Sequence, residues 1–281
     1  MANSSEIMEH ILQQRIQSPV PITYSFLAPN SKGLQNAETV LKQNEGGYST
    51  LLSPDTTKPG VEISVFAAAT ESFSQKNLNC DIATSLERFR AVIQDAKALG
   101  LRVRAYISVV LGCPFEGFDV DPHKVAEIAA DLLGAGADEI SLGDTTGMGT
   151  APRTSQLLRC LSAAGIRTED MAMHFHDTYG QALVNTAVSL EHGVRTFDSS
   201  VGGLGGCPYS PGATGNVATE NMIYFMETLG METGVDLDAV SDIGAWISEE
   251  LGRANDSTVG KAVLGARARQ NAEALKSSSS S

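Results

Sequence analysis

The chain has 281 residues and is acidic, with 20 Lys and Arg against 33 Asp and Glu and a formal net charge of −13. Hydrophobic residues at 42% and charged residues at 19% exclude a disordered chain, a collagen-like repeat and a coiled coil, and the length suffices for one large core. The charge gives no general attraction for nucleic acid or anionic lipid, and no apolar run approaches the roughly 20 residues of a membrane span, so an anionic ligand needs local donors.

Ser4 or Ser5 is positioned to cap a short helix over 4–14, with Ile7, Met8, Ile11 and Leu12 on one face. Strand-like runs then begin near Ile22, Glu62, Arg102, Asp138, Met171 and Val194. Two of the intervening helices are clearly marked. One follows Asp81 and carries Leu86, Phe89, Val92, Ile93 and Ala96 up to Gly100. The other opens at Pro122 and carries Val125, Ile128, Ala129, Leu132 and Leu133. Such alternation means βαβ units and a parallel sheet, either an open doubly wound sheet or a (β/α)₈ barrel two units short. Residues 45–60, with Gly46-Gly47, Pro54 and Pro59, read as a surface loop insertion. A last helix is expected from Asp236, with Leu237, Val240, Ile243, Ile247 and Leu251 as its apolar stripe. One domain over 1–270 and a disordered Ser-rich tail over 271–281 complete the expected organisation.

The cysteines Cys80, Cys113, Cys160 and Cys207 contain no C-x-x-C pair, which argues against a zinc ribbon or a disulfide scaffold and for a reducing compartment. The most informative stretch is Met171–Gln181, MAMHFHDTYGQ. On a strand, residues i and i+2 share a face, so His174 and His176 project together near the strand's C-terminal end, where α/β barrels and open sheets place their sites. The pair is half of a divalent-metal site, or else two hydrogen-bonded core histidines. Downstream, the run Ser199–Asn216 is rich in glycine and places Cys207 in a polar loop, with Asn216 offering a carbonyl oxygen. Glu139–Gly147 runs a strand into Asp144 and Thr145, where the carboxylate either orients a reacting group or caps the next turn. Tyr106 is expected at the same end of its own strand, and Cys113, in GCPFEG, reads as structural.

Together SLGDT, HFHDTYGQAL and VGGLGGCPYSPGATGN, with SQKNLNC and VLGCPFEG, resemble the hydroxymethylglutaryl-CoA lyases, metal-dependent enzymes on a TIM barrel, over about residues 5–260. The Claisen-type synthases share the His-x-His strand but carry a Gly-Glu-Arg-x-Gly-Asn loop that is absent here. The resemblance implies a retro-Claisen cleavage of an acyl-CoA, with Mg²⁺ or Mn²⁺ held by His174, His176 and Asn216. It implies Cys207 as general acid, Asp144 in proton transfer from the substrate hydroxyl or in positioning it, and Ser141, Thr145 and Tyr106 as substrate contacts. Lys76 and Asn77 are the expected donors to the CoA phosphates. A homodimer and the mitochondrial matrix are further implications; a cytosolic location is expected if the chain is the full-length product.

The family's first strand ends in an Arg-Asp pair that this sequence lacks, and its second supplies a Glu. The run ITYSFLA aligns with the family's third strand, so six of eight strands and a start within the preceding helix are expected, with negligible cleavage by this chain alone. An inactive remnant or partner subunit, and a related aldolase or acyltransferase, are the alternatives.

Overall fold

The structure, a computed structural model, describes residues 3–14, 20–44, 46–52, 54–55, 57–206 and 215–278. Six strands form one parallel sheet in sequence order: β1 (Thr23–Leu27), β2 (Gly60–Ala68), β3 (Arg102–Ser108), β4 (Glu139–Asp144), β5 (Met171–Phe175) and β6 (Thr196–Asp198). A doubly wound sheet reverses its order at a switch point, whereas strictly sequential order is the winding of a (β/α) barrel. The second of the two architectures is therefore the one adopted, as an α/β arc of six barrel strands. Among the described strands, none joins β6 to β1, so each has one strand partner only.

Helix α1 (Ser4–Gln14) precedes β1, and α2 (Ser31–Gln43), α3 (Glu71–Leu78), α4 (Ile82–Ala98), α5 (Pro122–Ala135), α6 (Ala151–Ala163) and α7 (Ala182–Glu191) occupy the connections. Asp81 accepts the Thr84 N–H at the start of α4, and Asp121 accepts the His123 N–H ahead of Pro122 in α5. Their apolar stripes cover Val65, Val103, Ala105, Ile140, Leu142, Met173 and Phe175 on the outer face of the sheet. In α1 only Met8 and Leu12 are buried, while Ile7 is exposed, so the expected four-residue face is narrower than the sequence suggests.

The described part of the 45–60 segment runs beside the start of β2, where Ser49 bridges Gly60, and Leu51 N–H donates to Gly100 O. That is the end of the sheet opposite His174.

After β6 come α8 (Thr219–Thr228), α9 (Leu237–Glu250) and α10 (Thr258–Ser278). Two expectations need correction here. Helix α9 buries Val240, Ser241, Gly244 and Ser248, leaving Ile243 and Trp246 50% and 58% exposed. The reason is the buried carboxylate of Glu220, which sits so close that a Cβ on Gly244 would lie 2.1 Å from its Oε1. Only a small-residue face fits there. The expected tail at 271–281 is helical as far as Ser278. Its Ala272, Glu273, Ala274, Leu275 and Lys276 are strong helix formers that extend a helix already anchored through its first half, where Arg267 meets Asp238 and Asp242. No described helix is long and apolar enough to cross a membrane.

Candidate active site

A cavity of about 570 Å³ opens at the C-terminal ends of the strands. Its lining includes Leu27, Ser64, Phe66, Tyr106, Ser108, Thr145, His174, His176 and Gly206, with Phe73 and Asn77 of α3 above them. Strand alternation explains the selection. Registers Phe66↔Tyr106, Tyr106↔Ser141 and Gly143↔His174 place alternate residues of β2 to β5 on the inner face. The two imidazoles expected to converge do so, with ring centroids 5.4 Å apart, and Tyr106 meets His174 edge-on at 6.2 Å.

Residues 215–217 run antiparallel to the end of β5: Asp177 N–H donates to Gly215 O, Val217 N–H to Phe175 O, and Asn216 stands opposite His176. The Asn216 amide nitrogen donates to Leu204 O at 2.8 Å, which fixes the side chain's orientation. At the other side of the glycine-rich loop, Gly202 N–H donates to both oxygens of buried Glu220, at 3.1 and 3.0 Å. Gly202 and Gly203 have φ of 64° and 67°, a left-handed turn that a side chain would strain. The loop's two ends are thus held. Cys207 itself lies outside the described residues; its neighbour Gly206 lines the cavity.

Burial, and then the neighbouring His174, push His176 down to about 4, so its ring is neutral at pH 7. Its Nδ1 is buried without a hydrogen-bond partner among the described residues. Burial, then Asp198, pushes the Tyr106 phenol up to about 12 and keeps it a hydrogen-bond donor. At the end of β3, Val109 takes a φ of 59°, rare for a β-branched residue, and its N–H donates to Thr145 Oγ1 at 2.8 Å. That bond ties the β3 and β4 loops together beside the cavity.

Three expected site residues stand elsewhere. Asp144 is fully buried on the opposite face of β4, because it pairs in register with outward-facing Phe175 rather than with His174. Its Oδ2 accepts the Gly149 N–H at 2.9 Å, and Asn185 Nδ2 donates to Gly149 O at 3.0 Å, so the pair clamps the loop after β4. Asp144 is not among the residues that line the cavity, and its Oδ2 holds the loop after β4. Ser141 is also buried, its hydroxyl donating to Asp198 Oδ2 at 2.9 Å beneath the cavity. Lys76 is exposed on α3, while adjacent Asn77 reaches the cavity.

The clamp leaves no room at Gly149: a Cβ would lie 2.6 Å from Asp144 Oδ2 and 2.7 Å from Leu111 Cδ1. Gly149→Ala is expected to cost about 1–3 kcal/mol through overpacking, measured by urea unfolding.

A charged array below the cavity escaped the motif reading. Arg102 Nε donates to Glu62 Oε2 at 2.8 Å and its Nη2 to Glu139 Oε2 at 3.1 Å. Arg104 Nε lies 2.8 Å from Glu139 Oε1, and Arg104 Nη2 lies 2.7 Å from Asp198 Oδ1. Asp198 Oδ2 then lies 3.1 Å from His174 Nδ1. Burial works to raise the Asp198 carboxyl, but the His174 hydrogen bond and the Arg104 charge outweigh it and hold Asp198 below the usual carboxylate range. A signal was present: these charges share the inward parity of His174 within otherwise apolar strands.

Residues 49–247 match the HMGL-like family. The chain belongs to this family. It is 47% identical over 264 residues, 94% of this chain and 80% of the relative, to the Pseudomonas aeruginosa 3-hydroxy-3-isohexenylglutaryl-CoA/hydroxy-methylglutaryl-CoA lyase. It is 41% identical to the mitochondrial hydroxymethylglutaryl-CoA lyase of Bos taurus, covering 93% of this chain and 73% of that one. The crystal structure of the hydroxymethylglutaryl-CoA lyase from Pseudomonas aeruginosa superposes with a TM-score of 0.81 at 47% identity, covering 94% of this chain and 80% of that one. The HMGL-like match takes in β2 to β6 and the cavity they line.

Among the described residues no three His, Cys, Asp or Glu side chains form a metal-holding group. Of the expected donors, His174 and His176 line the cavity, and Asn216 is bridged to His176. Two imidazoles, one of them with a buried and unpartnered nitrogen, fit a divalent cation that completes its shell with solvent and substrate oxygens.

Proposed function

We propose that this chain carries out the lyase reaction of its family, cleaving 3-hydroxy-3-methylglutaryl-CoA to acetyl-CoA and acetoacetate. The single observation that carries the reading is the convergence of His174 and His176 in a cavity, with Asn216 bridged to His176, within a fold matched at 47% identity. In this reaction the C3 hydroxyl loses its proton, the C2–C3 bond breaks, and the electron pair passes to the thioester enolate. A proton returned to C2 completes acetyl-CoA.

His174, His176 and Asn216 would hold the divalent cation, which supplies Lewis-acid polarisation of substrate oxygens. Tyr106, kept protonated, donates a hydrogen bond to a substrate oxygen at the inner wall. Thr145 and Ser108 offer further polar contacts at the rim. Cys207, one residue beyond the cavity-lining Gly206, delivers the proton to C2. Asn77, with Lys76 beside it on α3, faces the CoA arm. Asp144 acts by holding the loop that presents Thr145. Burial by Leu27, Phe66 and Phe73 makes the cavity wall apolar next to the imidazoles. That wall favours a second reading in which a longer alkenyl group at C3 is also accepted, as the name of the Pseudomonas aeruginosa relative states for that protein.

Incubation of the purified chain with Mn²⁺ and 3-hydroxy-3-methylglutaryl-CoA is expected to yield negligible acetoacetate and acetyl-CoA by mass spectrometry until a segment carrying the family's first two strands is supplied, and His174→Ala/His176→Ala is then expected to lower the yield at least about a hundredfold. Equal yields from the two proteins with that segment present would sink the proposal.

A further inference from the structure

The two histidines are held differently, and the difference assigns a role to a residue outside the cavity. His176 Nδ1 has no hydrogen-bond partner among the described residues, whereas His174 Nδ1 faces Asp198 Oδ2 at 3.1 Å. Asp198 is itself held on both oxygens: Oδ2 by the Ser141 hydroxyl at 2.9 Å and Oδ1 by the Arg104 guanidinium at 2.7 Å. Arg104 also reaches Glu139 and stacks over the Tyr106 ring, 5.1 Å from its centroid. An acceptor so fixed requires a proton on Nδ1, and the neutral imidazole then keeps its lone pair on Nε2.

We infer that Asp198, braced by Arg104 and Ser141, is the positioning residue that sets the tautomer and ring orientation of His174 so that Nε2 is presented to the cavity. The inference rests on His174 serving as a cation-binding residue. It goes beyond that reading, because nothing in the motifs brings β6 into the site. Register does so: His174 pairs with Asp198 across β5 and β6, and both point inward. A carboxylate behind a ligating imidazole raises its basicity, and loss of such partners commonly costs about 10–100-fold in metal affinity.

The test uses the full chain labelled with ¹⁵N-histidine and its Asp198→Ala variant, in two measurements. Long-range ¹H–¹⁵N spectra without metal report the tautomer: Nδ1–H alone is expected for His174 in the parent chain, and a mixture in the variant. Mn²⁺ titration followed by electron paramagnetic resonance is expected to show at least about tenfold weaker binding in the variant. An unchanged tautomer in a folded Asp198→Ala protein overturns the inference whatever the metal does. A changed tautomer in a parent chain that binds no Mn²⁺ leaves the positioning role standing and overturns the cation-binding reading instead. Should Asp198→Ala not fold, isosteric Asp198→Asn is put through the same two measurements, where unchanged spectra and affinity overturn the inference.

Discussion

Arg104→Ala is expected to destabilise the protein by about 3–5 kcal/mol, among the largest effects of any single side-chain truncation here. Arg104 is only 12% exposed and stands between two carboxylates, Glu139 at 9% and Asp198 at 16%. Removing the guanidinium leaves both carboxylates in the barrel floor, with only Arg102 to balance Glu139. Burial already raises the Glu139 carboxyl, with Arg104 the leading influence pulling it back. Without Arg104 it should bind a proton more readily, so the loss is expected to shrink on acidification. Urea unfolding at pH 5 and pH 8 measures both quantities. A loss below about 1 kcal/mol at pH 8 would mean that solvent screens the array as it does a surface pair.

The second large effect is linked to pH and belongs to Asp144. Burial, opposed mainly by the Gly149 N–H and the Arg153 charge, raises this carboxyl from 3.8 to about 7. The unfolded chain releases the proton near pH 3.8 and the folded chain only near 7. Between those values the folded state binds more protons, so stability from this group falls as pH rises and levels off above 7. The full span corresponds to as much as about 4 kcal/mol. Asp144→Asn does not titrate, so its stability relative to the parent is expected to improve from pH 4 to pH 7 and then stay constant. Urea denaturation of both proteins across pH 4–8 checks this, and a parallel pair of curves would exclude a raised Asp144.

Much of the scaffold was legible. The six apolar runs became six strands, and Asp81, Asp121 and Pro122 mark helix starts because capping and proline preferences act within a few residues. His174 and His176 were placed correctly because i, i+2 alternation is a local property of a strand. The turn-capping alternative for Asp144 was also legible, whereas the face it takes depends on the parity of β4 against β5, a tertiary register. The Ile243 stripe of α9 misled: an apolar period shows that a face exists, not that the fold covers it. Asp198 and Arg104 were missed because they are 94 residues apart in sequence, and their distance of 2.7 Å exists only across strands.

By itself, the amino-acid sequence determined the parallel α/β class, the paired imidazoles and the motifs that mark the family, all of them consequences of short-range periodicity and residue chemistry. The tertiary structure decided the sequential winding, the face of β4 on which Asp144 lies, and the joining of Glu62, Arg102, Glu139, Arg104 and Asp198 into one array behind His174. The physical reason is register. Each inward charge is unfavourable alone, and only the alignment of neighbouring strands supplies the opposite charge that lets it remain buried.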